Sequence, residues 1–242
     1  MKRITYEIES DIERSHWWFI GRRALLHMLL SFPDGSSPSS LVDVGCGVGS
    51  NLMLFDSMGY HVIGLDSEIY SLSYAKKRHV AISLINGDLL TLPFKTDSID
   101  LIIATDILEH LPEDTLGIRE IHRTLKRDGR VLFTVPAFQF LWGTQEVAGM
   151  HQRRYSKEEL LKKIEEQGFR VIRSSYFNFL LFFPILLVRW AVRCLDLTIQ
   201  SENRINFPLM NSILKQIFSL EPHLLRHVSF PFGVSIFCIA QK

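Results

Sequence analysis

The sequence lacks several features that would place a protein outside the reducing interior of a cell. Its three cysteines, Cys46, Cys194 and Cys238, are too few and too scattered for a disulfide framework or a zinc site. The first 14 residues carry many charges and contain no apolar core of a secretion signal. We therefore expect a cytoplasmic location.

An excess of charge and long hydrophobic runs are also missing. The chain has 27 Lys and Arg against 26 Asp and Glu, so no basic surface for a nucleic acid is expected. Its most apolar stretch, residues 177–188, is interrupted by Asn178 and Pro184 and is shorter than the roughly 18 to 20 residues that cross a bilayer. A length of 242 residues with 47% hydrophobic composition predicts a single domain over residues 1–242 that contains an insertion.

What the sequence does contain is a short apolar run that breaks into alternating glycines. Residues 41–51 are predicted to form a buried strand, a tight turn at Gly45, Gly47 and Gly49, and the start of a helix. Glycines permit positive φ and close approach of a ligand, and free N–H groups at a helix start suit nucleotide-like ligands. The alternative is an ordinary strand-to-helix turn, because a lone glycine-rich turn is a weak signal.

Two residues in this stretch indicate which ligand the turn would bind. The dinucleotide pattern G-x-G-x-x-G requires a third glycine where this chain has Ser50. Asp43 would repel a pyrophosphate, but it suits a ligand that carries an ammonium or a sulfonium. S-adenosylmethionine carries both groups and is therefore favoured over NAD.

Two further predicted strands also end in carboxylates. The apolar run at residues 60–65 ends in Asp66, 19 residues after Gly47, where a residue that accepts ribose hydroxyl hydrogen bonds is expected. The run at residues 81–85 leads through an Asn-Gly pair to Asp88. Asp88 is either a third ligand contact or a turn residue, since Asn-Gly-Asp also favours a turn.

With these motifs in this order, residues 15–175 resemble the class I S-adenosylmethionine-dependent methyltransferases. The resemblance implies a Rossmann-like α/β fold: a seven-stranded, mostly parallel sheet with helices on both faces, an antiparallel last strand and a helical insertion before it. It also implies that Asp43 and the glycine turn hold the methionine part of the cofactor, Asp66 the ribose and Asp88 the adenine. The implied cofactor-binding set is Arg23, Asp43, Gly45, Cys46, Gly47, Asp66, Ser67, Asp88, Leu89 and Thr105.

The N-terminal segment places three aromatic residues beside two arginines. Residues 17–19, Trp-Trp-Phe, precede Arg22 and Arg23, and residues 1–32 are expected to form a helical flap in which rings exclude water and an arginine meets a carboxylate. The alternative is a helix packed on the sheet. The segment is similar to the entry segment of the quinone-biosynthesis O-methyltransferases, which implies that Arg23, with Arg22 as a near rival, touches the cofactor.

A fourth predicted strand, residues 98–104, ends in polar side chains. Residues at the carboxyl end of a central strand face the ligand crevice, so we expect Thr105 and Asp106 at the cofactor. Glu109 and His110 follow near the acceptor, where His110 is a candidate base or else caps a helix. The spacing resembles the Glu-x-x-Glu-His stretch through which quinone-type enzymes can bind a divalent metal. Aspartate at its first position is one methylene shorter, so no metal is expected.

Residues 137–155 lack helix or strand periodicity, as binding loops do. They contain His151, which is either a second base or acceptor contact or a surface histidine. Residues 177–226 are predicted to form an inserted lid of two apolar helices, and a final strand follows over residues 228–240. The lid suits the headgroup layer of a membrane, with Arg189, Trp190 and Arg193 as anchors; the alternative is a buried core segment.

These observations predict transfer of the sulfonium methyl to a hydroxyl, with His110 and His151 as catalytic candidates. The expected acceptor is lipid-like, quinone-like or a lipid-linked saccharide, reached by peripheral contact with the membrane. Methylation of nitrogen or carbon stays open because the cofactor motifs do not distinguish it. A protein that binds the cofactor without catalysis and acts as a partner also stays open.

Overall fold

The computed structural model describes residues 7, 10–31, 40–78, 81–195 and 207–242 of the chain. In this part, seven strands form one sheet whose central strands are apolar and buried on both faces. The strands are β1 (Ser40–Val44), β2 (His61–Asp66), β3 (Ser83–Asn86), β4 (Ile99–Thr105), β5 (Leu125–Pro136), β6 (Arg170–Phe177) and β7 (Ser235–Gln241).

The strand order in the sheet is β3-β2-β1-β4-β5-β7-β6. The pairs from β3 to β5 are parallel, whereas β7 runs antiparallel to both β5 and β6. Strands β1 to β6 therefore point the same way, and their carboxyl ends meet at one edge of the sheet. The predicted fold class, a mostly parallel seven-stranded sheet with an antiparallel last strand, is confirmed.

Helices surround this sheet, and most of them bury apolar side chains. Helix boundaries follow local signals. Ser156 stands three residues before Glu159, the spacing of a helix cap, and its Oγ accepts a hydrogen bond from the Glu159 N–H at 3.1 Å. The helices are α1 (Trp17–Leu30), α2 (Leu52–Ser57), α3 (Ile69–Arg78), α4 (Asp114–Thr124), α5 (Thr144–Gly149), α6 (Lys157–Glu166), α7 (Phe182–Cys194) and α8 (Pro208–Leu225).

Two stretches differ from the sequence prediction. The last strand begins at Ser235 rather than at residue 228, because the preceding chain makes only a single bridge, Tyr176 to Phe230, before it joins the sheet. Residues 137–155, expected to be irregular, contain a 3₁₀ turn and the short helix α5. The first difference lengthens the loop before the last strand, and the second gives part of the expected loop regular structure.

The insertion between β6 and β7 contains two helices, α7 and α8. Residues 196–206 of the predicted lid lie outside the described residues, as do residues 1–6, 8, 9 and 32 of the predicted flap. The two predicted segments meet, because α8 packs on α1.

The α1–α8 contact is close and aromatic. Phe218 stacks on Trp18 with ring centroids 5.5 Å apart. Asn211 holds the start of α1, since its Oδ1 accepts a hydrogen bond from the Trp17 N–H at 2.7 Å. Gly21 makes the approach possible, because a Cβ at this position would lie 2.2 Å from the Phe218 ring. Helix α1 and the insertion are thus one packed unit.

We expect Gly21→Ala to destabilise the protein by about 1–3 kcal/mol, because the added methyl overpacks the Phe218 ring. Helix propensity alone predicts the opposite sign, a gain of roughly 1 kcal/mol. Urea unfolding measures the difference, and the double variant Gly21→Ala/Phe218→Leu should be less destabilised than the sum of the two single changes. A more stable Gly21→Ala protein would contradict this packing.

Candidate functional site

A cavity of about 360 Å³ lies at the carboxyl edge of the sheet. The ends of β1, β2, β4, β5 and β6 contribute residues to one wall, and α1 and α7 contribute to the other. The parallel strands bring together residues that are far apart in sequence, as expected for a ligand crevice in an open α/β sheet.

The glycine turn after β1 has the left-handed backbone that the sequence predicts. Gly45 and Gly47 have φ of 73° and 56°. The N–H groups of Gly45 and Cys46 both donate to the Leu65 carbonyl, at 2.7 and 3.0 Å, which fixes the turn to the end of β2. A Cβ on Gly47 would meet nothing within 4 Å, so the main chain faces open space where a ligand fits.

Asp66 is held rigidly at the end of β2. Its Oδ2 accepts a hydrogen bond from the Gly47 N–H and its Oδ1 one from the Glu68 N–H, both at 2.8 Å. Burial raises the pKa of the Asp66 carboxyl. Each carboxylate oxygen keeps a further lone pair, so the residue fits the acceptor role toward ribose hydroxyls that the resemblance implies.

Asp43 supplies negative charge from behind the turn. It is 1% exposed, and neither carboxylate oxygen has a hydrogen-bond partner among the described residues. Burial raises its pKa to about 7, while the nearby Arg22 acts in the opposite direction. An unpaired buried carboxylate is costly in the free protein, so this position fits a ligand that brings a positive charge.

Arg22 reaches the same end of the cavity from α1. Its Nη1 lies 2.7 Å from Asp106 Oδ2, and the Thr134 hydroxyl donates to Asp106 Oδ1 at 3.1 Å. Asp106 has φ of 52°, which turns its carboxylate toward α1. The neighbouring Arg23 turns away and donates to the Glu13 carbonyl at 2.8 Å.

The structure separates the predicted site residues into two groups. On the cavity wall lie Gly45, Cys46, Gly47, Asp66, Ser67, Thr105, His110 and His151. Away from the wall lie Arg23, Asp43, Asp88 and Leu89. Asp88 is exposed, and its Oδ1 accepts a hydrogen bond from the Leu90 N–H at 2.9 Å. This local contact corresponds to the turn role that the sequence offers as the alternative to a ligand contact.

A second polar cluster, formed by Glu109, His110 and His151, lies at the other end of the cavity. The two imidazole rings are perpendicular, with centroids 4.6 Å apart. Glu109 is fully buried, and its carboxylate oxygens have no partner in the described part of the chain. Burial, followed by the charge of Asp106, raises the pKa of Glu109 well above its ordinary value. Burial lowers the pKa of His110 to about 4 and lowers that of His151 as well.

One ligand atom from each of these three residues lies within 4.8 Å of the others, so the cluster is close enough for a cation. Asp106, the first residue of the predicted metal-type spacing, is paired with Arg22 instead. The three-residue set of Asp106, Glu109 and His110 is therefore not assembled, and His151 occupies the third position. Two neutral imidazoles beside a buried carboxyl also suit proton transfer, with no need for a cation.

A buried ion pair holds the loop that carries His151. Arg154 binds Glu146, and its Nε and Nη2 donate to the carbonyls of Ala137 at 2.6 Å and Val234 at 2.8 Å. Although burial works against ionisation, Arg154 and Arg189 hold the pKa of Glu146 below its ordinary value. The backbone N–H of His151 donates to the backbone carbonyl of Glu146 at 2.9 Å, which fixes the histidine beside His110.

Asn178, directly after β6, also lies on the cavity wall. It is fully buried with φ of 56°, and both amide atoms are without a partner in the residues described. Glu221 of α8 holds this turn, since its two carboxylate oxygens accept from the N–H groups of Asn178 at 2.6 Å and Leu180 at 2.9 Å. Burial raises the pKa of Glu221 to about 7.

Sequence reasoning missed several cavity residues because they come from separate elements. A polar residue directly after a predicted strand was the available signal for Asn178. No local pattern marks the others, which reach the cavity through tertiary packing: His16, Glu146, Arg154 and Ser235.

We expect Asp43→Asn to change how stability depends on pH. The folded-state pKa of about 7 lies above the ordinary 3.8, so the stability linked to the protonated carboxyl is fully present below pH ~4 and is lost as pH rises through ~7. The wild type should therefore lose stability relative to Asp43→Asn between pH 5 and 8, as measured by urea unfolding without ligand.

Asp97→Asn is the control for that series. Lys242 lowers the pKa of this surface carboxyl, so its titration lies below the measured range and the difference from wild type should stay level. Parallel curves for wild type and Asp43→Asn would show that the buried carboxyl does not titrate as the structure indicates.

Comparison with known proteins agrees with this site. Residues 42–133 match a family model described as a methyltransferase domain. A probable S-adenosylmethionine-dependent methyltransferase of Mycolicibacterium smegmatis is 27% identical over 162 residues, which cover 66% of this chain and 62% of that protein. A 2-methyl-6-phytyl-1,4-hydroquinone methyltransferase of Arabidopsis thaliana is 28% identical over 60% of this chain and 43% of its own. The matched regions thus span about two fifths to three fifths of these relatives.

Solved structures share the fold at low identity. A methyltransferase in complex with the Haloferax volcanii Trm112 methyltransferase activator has a TM-score of 0.62 at 18% identity, covering 96% of this chain and 92% of that one. An S-adenosylmethionine-dependent methyltransferase of Mesorhizobium loti has a TM-score of 0.59 at 16% identity, covering 90% and 96%. S-adenosylmethionine is the cofactor that this family implies, and the open glycine turn, Asp66 and the negative charge of Asp43 fit it. The chain is thus similar to S-adenosylmethionine-dependent methyltransferases, and its residues 42–133 match a methyltransferase domain.

Proposed function

We propose that this protein transfers the methyl group of S-adenosylmethionine to a hydroxyl of a lipid-like acceptor, such as a quinol or a lipid-linked saccharide. The observation that carries the proposal is the continuity of the cavity, whose lining runs from Gly47 and Asp66 to His110 and His151. A cofactor end and a proton-accepting end thus share one enclosed space. The name of the Arabidopsis relative, a phytyl hydroquinone methyltransferase, supports an acceptor of this class.

In the proposed reaction, the protein positions two substrates and removes a proton. When bound, S-adenosylmethionine supplies a methyl group on a positively charged sulfur. The glycine turn and Asp43 would hold the methionine part, where Asp43 opposes the positive charge, and Asp66 would hold the ribose. His110 and His151 are neutral at physiological pH because burial lowers both pKa values, so either can accept the proton that a hydroxyl loses. The buried walls exclude water, which favours transfer over hydrolysis.

The outer surface of the insertion supports delivery of the acceptor from a membrane. Helices α7 and α8 expose large apolar side chains, such as Phe183 at 59% and Trp190 at 62%. Their one acidic residue, Glu221, is fully buried, whereas Arg193 and Arg226 are exposed. Apolar stripes with positive charge suit the interface of an anionic bilayer. The exposed apolar residues are Phe183, Leu187, Val188, Trp190, Leu195, Phe207, Leu209, Met210, Ile213, Leu220 and Leu224.

The contact proposed is peripheral, and one predicted anchor does not take part. No helix in the described part of the chain is both long and apolar enough to cross a membrane. Arg189 faces inward, lines the cavity and lies 3.4 Å from Glu146, so Arg193 and Trp190 remain as anchors. Ile185 of the same helix also lines the cavity, which brings the apolar surface and the acceptor end to opposite sides of one helix.

Removal of the base should slow methyl transfer by roughly 10²- to 10⁴-fold. We expect this loss for His110→Ala or His151→Ala, with S-adenosylhomocysteine affinity near that of wild type. The assay is incorporation of labelled methyl into a membrane-lipid extract, followed by identification of the product. Asp66→Ala is the matched control and should instead weaken cofactor binding by about 1.5–3 kcal/mol, as for a lost hydrogen bond to a charged group.

The same assay separates the alternatives. Full turnover in both histidine variants would mean that positioning alone carries the reaction. A labelled methyl on nitrogen or carbon of the product would show that the acceptor atom is not a hydroxyl oxygen. Cofactor binding without labelled product in any fraction would favour a non-catalytic partner protein. A chelator should leave the rate unchanged; loss of activity restored by Mg²⁺ would assign a cation to Glu109, His110 and His151.

We expect the wild-type protein to float with vesicles that contain phosphatidylglycerol and to float less with pure phosphatidylcholine. The triple variant Phe183→Ser/Leu187→Ser/Trp190→Ser should remain in the soluble fraction, because it removes apolar surface from α7. All three side chains are exposed, so the variant should fold and keep its affinity for S-adenosylhomocysteine.

Phe182 is a poor target for this experiment, because it is buried beside Leu141 and Val234. The matched control is Met53→Ser/Ile172→Ser, which removes exposed apolar side chains elsewhere on the surface and should float like wild type. Absence of wild-type protein from both vesicle fractions would indicate a water-soluble acceptor.

A further inference from the structure

Helix α1 presents a row of three residues to the cavity. His16, Phe19 and Arg22 follow one another at intervals of three residues, all are buried, and all line the cavity wall. The His16 and Phe19 rings have centroids 6.1 Å apart, and the Arg22 guanidinium lies 5.5 Å from the Phe19 ring. The row therefore presents an imidazole at one end and a guanidinium at the other.

We infer that His16 is a cofactor-binding residue whose Nε2–H donates a hydrogen bond to the adenosine part of S-adenosylmethionine. The inference depends on the cofactor that the family implies and on no assumption about the acceptor.

The tautomer of His16 follows from its role at the start of α1. His16 is the N-cap of the helix, and its Nδ1 accepts a hydrogen bond from the Trp18 N–H at 3.3 Å. A ring nitrogen that accepts carries no proton, so in the neutral ring the proton lies on Nε2. Burial lowers the pKa of His16 to about 4, which keeps the ring neutral.

This Nε2–H group makes no hydrogen bond within the described part of the protein. The Nε2 atom is buried and has no hydrogen-bond partner among the residues the structure describes. An unmade hydrogen bond of a buried donor is costly, and buried donors in native proteins are nearly always paired. Because His16 lines the cofactor cavity, a bound ligand is the partner that satisfies this donor.

The neighbours of the row indicate which part of the ligand it meets. Arg22 is paired with Asp106 after β4, on the side where Asp43 places negative charge for the methionine end. Upstream of His16, Glu13 binds Ser50 of the glycine turn and Arg78 of α3, which follows β2. The imidazole thus lies toward the β2 side, where Asp66 marks the ribose.

The donor types agree with this assignment. Six residues separate His16 from Arg22, which corresponds to roughly 9 Å along a helix axis. A neutral N–H suits the ribose oxygens and adenine ring nitrogens, which are neutral acceptors. A guanidinium instead suits a carboxylate, which the amino-acid end of the cofactor carries.

Two substitutions separate the ligand contact from the capping role. His16→Asn keeps a good N-cap acceptor but removes the distal donor. His16→Gln places an amide N–H near the position of Nε2 but gives up the cap. Circular dichroism and thermal melting of both variants report the state of α1.

Calorimetry with two probes then tests the assignment. S-adenosylhomocysteine contains the adenosine and the amino-acid end, whereas 5′-methylthioadenosine lacks the amino acid. We expect His16→Asn to weaken both probes by about tenfold, the scale of one lost hydrogen bond, and His16→Gln to recover part of that affinity. Arg22→Ala should weaken S-adenosylhomocysteine and leave 5′-methylthioadenosine unchanged.

Three results would overturn the inference. Wild-type affinity of His16→Asn for both probes would make His16 a capping residue only. A loss confined to S-adenosylhomocysteine would move the contact to the amino-acid end. Equal losses in both His16 variants that follow their melting temperatures would assign the effect to the fold of α1.

Discussion

The left-handed turn after β1 is the constraint on which the rest of the site depends. Two consecutive N–H groups, of Gly45 and Cys46, donate to one carbonyl at the end of β2, and the next glycine donates to Asp66. These bonds require positive φ at Gly45, where a side chain would also collide with Ile107. The main chain of the turn and the Asp66 carboxylate, proposed to meet the ribose, belong to one hydrogen-bonded unit. The turn thus fixes the positions of both together.

Charge divides the cavity into two environments. At the cofactor end, Arg22 lies among the carboxylates of Asp43 and Asp106. A ligand that carries both an ammonium and a carboxylate can pair with these charges of opposite sign in place of their partners in the protein. At the other end, Arg154 is committed to Glu146 and to backbone carbonyls, and it fixes a loop instead of binding a ligand. Arg154 therefore serves architecture, whereas Arg22 has the recognition role that we propose.

Local sequence patterns predicted what local physics determines. The glycine turn, the carboxylates that end successive strands and the Ser156 cap follow from backbone geometry over a few residues, and the structure contains all of them. The choice between Arg22 and Arg23 could not be made in this way, because neighbours on a helix point about 100° apart and only the packing of α1 decides which one faces the cavity. His16 was missed for the same reason. The membrane prediction for residues 177–188 is a mixed case, because the first residues of this stretch are buried in the core and most of the later ones are exposed.

Helix α8 is joined to both walls of the cavity. Its Asn211 holds the start of α1 and its Glu221, 10 residues further along the same helix, holds the turn that carries Asn178. A contact that orders its outer face therefore acts on the α1 wall and on the Asn178 wall together. Thermodynamic linkage makes any such coupling reciprocal: an outer contact that strengthens cofactor binding is itself strengthened by the cofactor by the same factor. The insertion would in this way let the occupied enzyme, more than the empty one, stay where its second substrate is found.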